Sequence, residues 1–235
     1  MAVESKSLPA EASAIPPARK VRSLALPAAY RRYFVWAQII IVYLFIEFAL
    51  WATTRDIRNR RAVIAMIAIL VLVLIDRPSL ERLGLRLPKT FGASVVLGIS
   101  FTTVVSLVLL VSWAGGQIPA NQTWPDLQSL CGYVIWALIQ EFILQSFFFC
   151  RFEELYGGSA AVWSASALFA AAHLPSPVLT TATLIGALFF CEMFRRFRSI
   201  YPLAVAHAML GVSIFLTTPD SLLHHMRVGI GYLKY

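Results

Sequence analysis

The chain has 235 residues, of which 59% are hydrophobic and 14% are charged, and its mean hydropathy is +0.73. This composition is too apolar for a water-soluble core and long enough for several bilayer spans, so it predicts an integral membrane protein. The net charge of +8 does not indicate a nucleic-acid partner, because the basic residues lie mainly between apolar runs and ahead of the first one. In those places they set membrane topology and contact anionic lipid headgroups.

Residues 1–32 are predicted to form a flexible basic tail, because prolines, alanines and charged residues dominate there. Such a segment offers too little apolar surface to repay the entropy lost on ordering. The first apolar run, 33–52, is twenty residues long and lacks a small-residue cleavage site. It is therefore predicted to be a membrane span and not a signal peptide.

Six further apolar runs lie at 62–75, 91–114, 129–150, 159–174, 178–194 and 201–217. The run 62–75 has only fourteen residues, which predicts a tilted, locally thinned or re-entrant segment. The charged stretch DRPSLERLGLRLPKT after it is expected to form an inner loop or a short surface helix. The predicted fold is all-α, a polytopic membrane bundle of about seven transmembrane helices over 33–217, followed by a C-terminal tail at 218–235.

One carboxylate lies in the middle of the fourth run. Glu141 is the only charged residue between Ser129 and Cys150. A carboxylate near the centre of a span costs about 2.5–3.5 kcal/mol on insertion scales, so it is expected to have a function and polar partners. Gln145 lies four residues further on and shares its helical face, and Gln140 is its direct neighbour. This face is predicted to point into the bundle.

Two histidines are the candidate partners on other helices. Glu141 lies sixteen residues before Gly157 and His173 lies fifteen after Gly158, so an antiparallel pair turning at these glycines places both about 24 Å above the turn. His207 comes early in the last apolar run, only about 10 Å from its start at the same rise. A strongly tilted sixth or seventh helix is needed to bring it level with the other two.

A glutamate and two histidines in a low-dielectric cavity can hydrolyse a peptide bond. The carboxylate can take a proton from water, one imidazole can share that proton or orient the water, and the other can donate to the oxyanion. The same three side chains could instead bind a divalent metal such as zinc, as in a metalloendopeptidase. A hydrogen-bonded cluster that only pins the helices together is the structural alternative. The spacing does not decide among these three.

These residues resemble the CPBP family of intramembrane proteases, the CAAX prenyl protease and bacteriocin-processing group also called Abi. Its pattern is EExxxR on one membrane helix, FxxxH on the next and HxxxN on a later one. The matching segments are Gln140 to Gln145, Phe169 to His173 and His207 to Gly211, and the resemblance covers about 129–217. It implies an endopeptidase that cleaves a membrane-embedded or lipidated peptide, placed as a multi-pass protein in the bacterial cytoplasmic membrane.

The chain departs from the pattern at three of its seven signature positions, where it has Gln140, Gln145 and Gly211. The family's first Glu is usually given the water-activating role, which Gln140 cannot take, so the resemblance implies that Glu141 has taken it. Loss of an acid together with its nearby Arg keeps the charge of the site balanced. The alternatives are a catalytically silent relative that acts as an immunity or scaffold protein, and a proton-coupled transporter. No internal inverted repeat supports the transporter.

Overall fold

The computed structural model describes residues 27–114 and 126–234, and all regular structure in these ranges is helical. The long helices before the gap are α1 (Ala28–Leu50), α2 (Arg55–Asp76) and α3 (Thr90–Trp113). After it come α4 (Leu127–Glu141), a π-helical segment (Phe142–Phe149), α5 (Cys150–Tyr156), α6 (Gly158–Ala171), α7 (Pro177–Phe197) and α8 (Tyr201–Thr217). Two single-turn helices near the end of the chain are α9 (Asp220–Leu223) and α10 (Ile230–Leu233).

Four helical stretches are long and apolar enough to cross a membrane, at Tyr30–Leu50, Thr90–Val111, Leu127–Tyr156 and Pro177–Phe197. The predicted all-helical membrane bundle is therefore confirmed, and four of the seven expected spans have the length and apolarity of a crossing. The helices α6 and α8 are apolar but shorter, with 14 and 17 residues.

Two helices begin earlier than the apolar runs that predicted them. Residues 28–32, assigned to the flexible tail, form the first turn of α1, and residues 1–26 of that tail lie outside the described ranges. The run 62–75 is part of a helix of 22 residues, because α2 begins at Arg55, before the apolar residues start. The Thr54 side chain caps this charged first turn by accepting from the backbone N–H of Ile57, so hydropathy alone understates the length of the helix.

The central element is the continuous helix formed by α4, the π segment and α5. Asp126 caps its start by accepting from the backbone N–H of Ser129. All nine residues of 144–152 are buried, and half of the helix's most apolar window is buried compared with 11% for α3. Helices α1, α2, α6, α7 and α8 contact this element. It is thus the axis around which the bundle packs.

The loop after α2 enters the bundle beside this axis. The backbone carbonyl of Leu83 accepts a hydrogen bond from Ser146 Oγ (2.6 Å), and the carbonyl of Gly84 accepts from the backbone N–H of Ile200 (3.0 Å). Gly84 has a φ of +70°, and a side chain there would run into the Phe194 ring, so glycine is required. Leu83 and Gly84 are therefore buried between the central helix and the start of α8, while most of the loop, including Leu80 and Leu87, is exposed as expected of a surface loop.

A group of charged residues, here called the arginine cluster, joins α1, α2 and α5. Its centre is Arg151, which is 5% exposed and lies within hydrogen-bonding distance of Gln38 and Asp76. Arg31 pairs with both Asp76 and Glu154 at its rim. Opposite charges alternate through the cluster, so ion pairs and hydrogen bonds offset the desolvation cost of burying its charged groups.

The last part of the chain packs across the ends of two earlier helices. The backbone N–H of Gly229 donates to the carbonyl of Leu174 (2.8 Å), just after α6, and the Lys234 ammonium donates to the carbonyl of Thr53 (3.0 Å). The segment predicted as a C-terminal tail is thus attached to the bundle in residues 218–234.

Candidate active site

Glu141 lies at the end of α4, where the helix changes to π geometry, and its side chain is fully buried. Its Oε1 is 2.8 Å from His207 Nδ1, and its Oε2 accepts from Gln145 Nε2 at 3.1 Å. The two oxygens of the carboxylate are therefore both hydrogen-bonded. π-Helical turns inside longer helices frequently occur at functional sites, and here the π segment begins directly after the carboxylate.

His207 is fixed from two sides. Its ring stacks on Phe190 of α7, with centroids 5.6 Å apart and planes at 16°. Since an ionised carboxylate can only accept, Nδ1 carries the hydrogen that is donated to Glu141, and Nε2 keeps its lone pair. The His207 side chain is 17% exposed whereas that of Glu141 is 0% exposed. The imidazole is therefore the accessible half of the pair.

His173 lies near this pair but is not hydrogen-bonded to it. Its Nδ1 is 2.9 Å from the backbone carbonyl of Phe169, one turn earlier, and its ring meets the Phe169 ring edge-to-face at 5.2 Å. A carbonyl oxygen only accepts, so Nδ1 carries the hydrogen and Nε2 is the free acceptor.

The two predicted supporting glutamines differ. Gln145 is fully buried and donates to Glu141, while its own Oε1 has no hydrogen-bond partner among the described residues. Gln140 is half-buried, and its side chain makes no hydrogen bond within 27–114 and 126–234. Of the two glutamines, only Gln145 belongs to the hydrogen-bonded site.

The inserted loop explains how His207 reaches the depth of Glu141. The neighbouring carbonyls of Leu83 and Gly84 bind Ser146 and the start of α8, so α8 begins near the depth of Ser146. From there the seven residues from Ile200 to His207 rise about 10 Å, and the five residues back to Glu141 rise about 7 Å. His207 is therefore brought level with Glu141 by the depth at which α8 begins, a role that the sequence pattern assigned to a steep helix tilt.

The described residues do not fit a metal ion. No three His, Cys, Asp or Glu side chains in 27–114 and 126–234 are grouped so that they could hold one. The Nδ1 atoms of both histidines and both oxygens of Glu141 are already engaged in hydrogen bonds within the protein. A zinc site of the usual type needs three protein ligands directed at one point.

Sequence reasoning missed one polar side chain beside the site. Tyr133 of α4 packs directly over Gly211, where an added side chain would overlap its hydroxyl oxygen and lie 2.9 Å from its Cζ atom. The signal that could have found it is the spacing on α4, since Tyr133, Ala137 and Glu141 are four residues apart and share one face. Ala137 is fully buried on that face.

Comparison with known proteins agrees with the motifs. The family model described as type II CAAX prenyl endopeptidase Rce1-like matches residues 122–213 of the chain. No curated protein and no solved structure gave a significant match. The match contains Glu141, His173 and His207, and it confirms the resemblance to the CPBP family over this region.

At the level of the family, the match supports an intramembrane protease of the CAAX type. Together with the four apolar helices it indicates an integral membrane protein. A protease of this family acts on a peptide in the membrane.

Proposed function

We propose that this chain is an intramembrane endopeptidase that hydrolyses a peptide bond of a membrane-embedded or lipidated substrate, with Glu141, His173 and His207 as its catalytic residues. The observation that carries the proposal is the 2.8 Å contact between Glu141 and His207, two titratable side chains 66 residues apart in sequence. Titratable side chains inside an apolar bundle cost free energy, and this cost makes a functional role the default explanation for the pair.

The geometry favours His207 as the base and Glu141 as the residue that orients it. Glu141 is enclosed, with both oxygens bonded, whereas His207 is partly accessible and its Nε2 is free to accept. A carboxylate that holds Nδ1–H fixes the tautomer of an imidazole and stabilises the imidazolium that forms during reaction. This division of roles refines the expectation from the sequence that the carboxylate itself takes the proton.

Hydrolysis then needs two proton transfers through His207. The oxygen of a water molecule forms a bond to the carbonyl carbon, the π electrons of the C=O bond move to its oxygen, and the proton of the water moves to His207 Nε2. When the oxyanion collapses, the C–N bond breaks and the leaving nitrogen takes that proton. His173 offers its free Nε2 to the second hydrogen of the water and so orients it. No step involves a metal.

The test is proteolysis by the full chain in proteoliposomes, against farnesylated CAAX peptides and single-span membrane peptides. Glu141→Gln keeps size and hydrogen bonding but removes the charge that stabilises the imidazolium, so kcat/KM should fall about a hundredfold or more. The kcat/KM of His207→Gln should fall as far. The double variant should be no worse than either single variant, because the effects of residues that act as a unit are not additive. Glu192→Gln, on the far part of α7, is the matched control and should keep full activity.

A catalytically silent membrane protein with the same fold is the second candidate. It is favoured by the three departures from the motif, Gln140, Gln145 and Gly211, and by the enclosure of Glu141. Such a protein would leave every peptide of the panel intact while still binding a membrane partner. Equal residual cleavage by the wild type, Glu141→Gln and His207→Gln would decide for this alternative.

Chelation separates the proposal from the metalloendopeptidase that the sequence left open. The described residues offer no three-ligand group, so activity should survive prolonged treatment with a chelator, and purified active protein should contain less than one equivalent of zinc. Loss of activity on chelation with recovery on adding zinc would show that the hydrolytic water is activated by a metal.

A further inference from the structure

Position 211 of α8 is a glycine, and the space that a side chain would take there is occupied by Tyr133 of α4. A methyl group at Gly211 would overlap the hydroxyl oxygen of Tyr133 and would lie 2.9 Å and 3.0 Å from its Cζ and Cε1 atoms. No ordinary Cβ contact is that short, so glycine is required for this packing. The CPBP motif has Asn at this position, a side chain whose amide can donate a hydrogen bond.

The Tyr133 hydroxyl lies beside the proposed active site by its position on both helices. Gly211 is one turn after His207 on the same face of α8, which places neighbouring side chains on the order of 5–6 Å apart. Tyr133 is two turns before Glu141 on the face of α4 that also carries the buried Ala137. The phenol therefore approaches from the carboxylate's own helix and ends next to the histidine's helix.

The hydroxyl is not used for holding the fold together. Within the described ranges no side chain or backbone group forms a hydrogen bond with it, although the Tyr201 hydroxyl, for comparison, donates to the Leu85 carbonyl at 3.2 Å. Tyr133 is half-buried, and its hydroxyl is not one of the fully enclosed side-chain atoms that lack a hydrogen-bond partner. A free O–H donor at this place is available to a substrate.

We propose that Tyr133 is a catalytic residue whose hydroxyl donates a hydrogen bond to the carbonyl oxygen of the scissile peptide as that oxygen becomes an oxyanion. It takes the place of the amide side chain that the family motif has at position 211. The inference rests on the proposed function. In the step given above, the electron pair that leaves the C=O bond is stabilised by this donor, and the phenol keeps its proton.

The experiment is steady-state proteolysis of a farnesylated CAAX peptide by Tyr133→Phe in proteoliposomes. This change removes one oxygen and keeps the ring over Gly211. Loss of one oxyanion donor lowers kcat about a hundredfold, and KM should stay within about twofold because the donor acts mainly in the transition state. The thermal midpoint in detergent should match the wild type. Tyr43→Phe, which changes a hydroxyl on α1 next to the Phe148 ring, is the control and should keep kcat.

A double-mutant cycle gives a second reading. Gly211→Ala displaces the hydroxyl from its place and should lower kcat about tenfold or more in the wild-type background. In the Tyr133→Phe background the same change still crowds the ring but has no donor left to move, so the further loss in kcat should be clearly smaller than in the wild-type background. Additive losses would show that Gly211 acts through packing and would overturn the role of the hydroxyl.

Binding of a transition-state analogue separates catalysis from structure. A farnesylated peptide with a phosphinate in place of the scissile bond carries the oxyanion, and Tyr133→Phe should bind it about a hundredfold more weakly while binding the uncleaved reduced-amide peptide unchanged. Wild-type kcat in Tyr133→Phe, with cleavage still lost in Glu141→Gln, would overturn the assignment of Tyr133 and leave the protease intact. A wild type that cleaves no peptide of the panel would overturn both proposals together.

Discussion

Two buried polar groups lie along the same continuous helix, one on each side of the π segment, and they are built differently. In the arginine cluster, the guanidinium of Arg151 donates to Gln38, to the Phe147 carbonyl and to Asp76, at 2.6, 3.3 and 3.1 Å, and stacks on the Phe147 ring. Around Glu141, by contrast, His207 keeps a free ring nitrogen and the Gln145 Oε1 atom has no hydrogen-bond partner among the described residues.

On the proposed function, the contrast separates a cluster that holds helices together from one that acts on a substrate. In the arginine cluster every nitrogen of the Arg151 guanidinium donates to a protein oxygen, although Gln38 Nε2 has no partner among the described residues. Removal of Arg151 takes away a charge on which its neighbours depend. A site with unused donors and acceptors costs stability and is kept where it does chemistry. We therefore expect substitutions in the arginine cluster to change stability and substitutions around Glu141 to change activity.

The largest expected effect is on stability, in Arg151→Met. The change keeps an unbranched side chain but removes three hydrogen bonds of a buried guanidinium and leaves Asp76 with Arg31 alone of its two cations. The free energy of unfolding should therefore fall by about 3 kcal/mol, the lower end of the cost of breaking a buried ion pair. It is measured by SDS-induced unfolding in mixed micelles. Arg60→Met is the matched control, because Arg60 pairs with Asp56 at a site where both side chains are more than two-thirds exposed, and it should cost less than about 1 kcal/mol. Equal losses in the two variants would contradict the contrast.

A middle-sized effect is expected from Gln140→Glu, which restores the residue of the family motif. Gln140 has no hydrogen-bond partner in the described part of the chain, and the Arg that would balance a new carboxylate is Gln145 here. A second negative charge next to Glu141 should therefore lower kcat/KM about tenfold, or about 1.4 kcal/mol in transition-state stabilisation.

The outcome for Gln140→Glu is read from initial rates on the fastest peptide of the panel. The companion variant Gln140→Glu/Gln145→Arg supplies the missing cation and should recover part of the loss. A rise in activity in the single variant would mean that Glu141 is not the working carboxylate.

The smallest expected effect on stability is at an exposed group of three charged residues on α7, which resembles neither cluster. Glu192 contacts Arg195 and Arg196 near the end of α7, at 2.8 and 2.5 Å, with side chains 27–57% exposed. Helical pairs of this kind contribute about 0.3–0.5 kcal/mol each, and salt screens them. Glu192→Gln should lower the free energy of unfolding by less than about 1 kcal/mol, and a difference of several kcal/mol would show that exposure does not separate these groups.

Much of this architecture could be predicted from hydropathy, and the reasons are local. Helix α8 runs from Tyr201 to Thr217, as the apolar run predicts, because Pro202 favours the first turn and no Asp, Glu, Lys or Arg interrupts the remaining turns. The pairing of Glu141 with His207 could be predicted in kind, since a lone carboxylate among apolar residues needs a polar partner.

Other features depend on packing that no local pattern encodes. The loop around Gly84 has the charges and prolines of a surface loop, and the burial of Leu83 and Gly84 within it depends on contacts with Phe194 and Ile200 that lie far along the chain. The π segment has no sequence signal of its own, since its eight residues read as an ordinary apolar helix. Tyr133 does not stand out in the sequence, because an aromatic residue in a span is usually a packing residue and its relation to Gly211 requires two helices.

The inserted loop also fixes the order in which the protein can be completed during its biosynthesis. The ribosome delivers Leu83 and Gly84 long before their partners, and Ser199 reaches the Arg86 carbonyl across 113 residues of chain. Gly84 has no bond from Ile200 until α7 has been made, and only then can α8 place His207 beside Glu141. A nascent chain released before the last helix therefore carries the carboxylate without its histidine, and on the proposed function it has no complete active site.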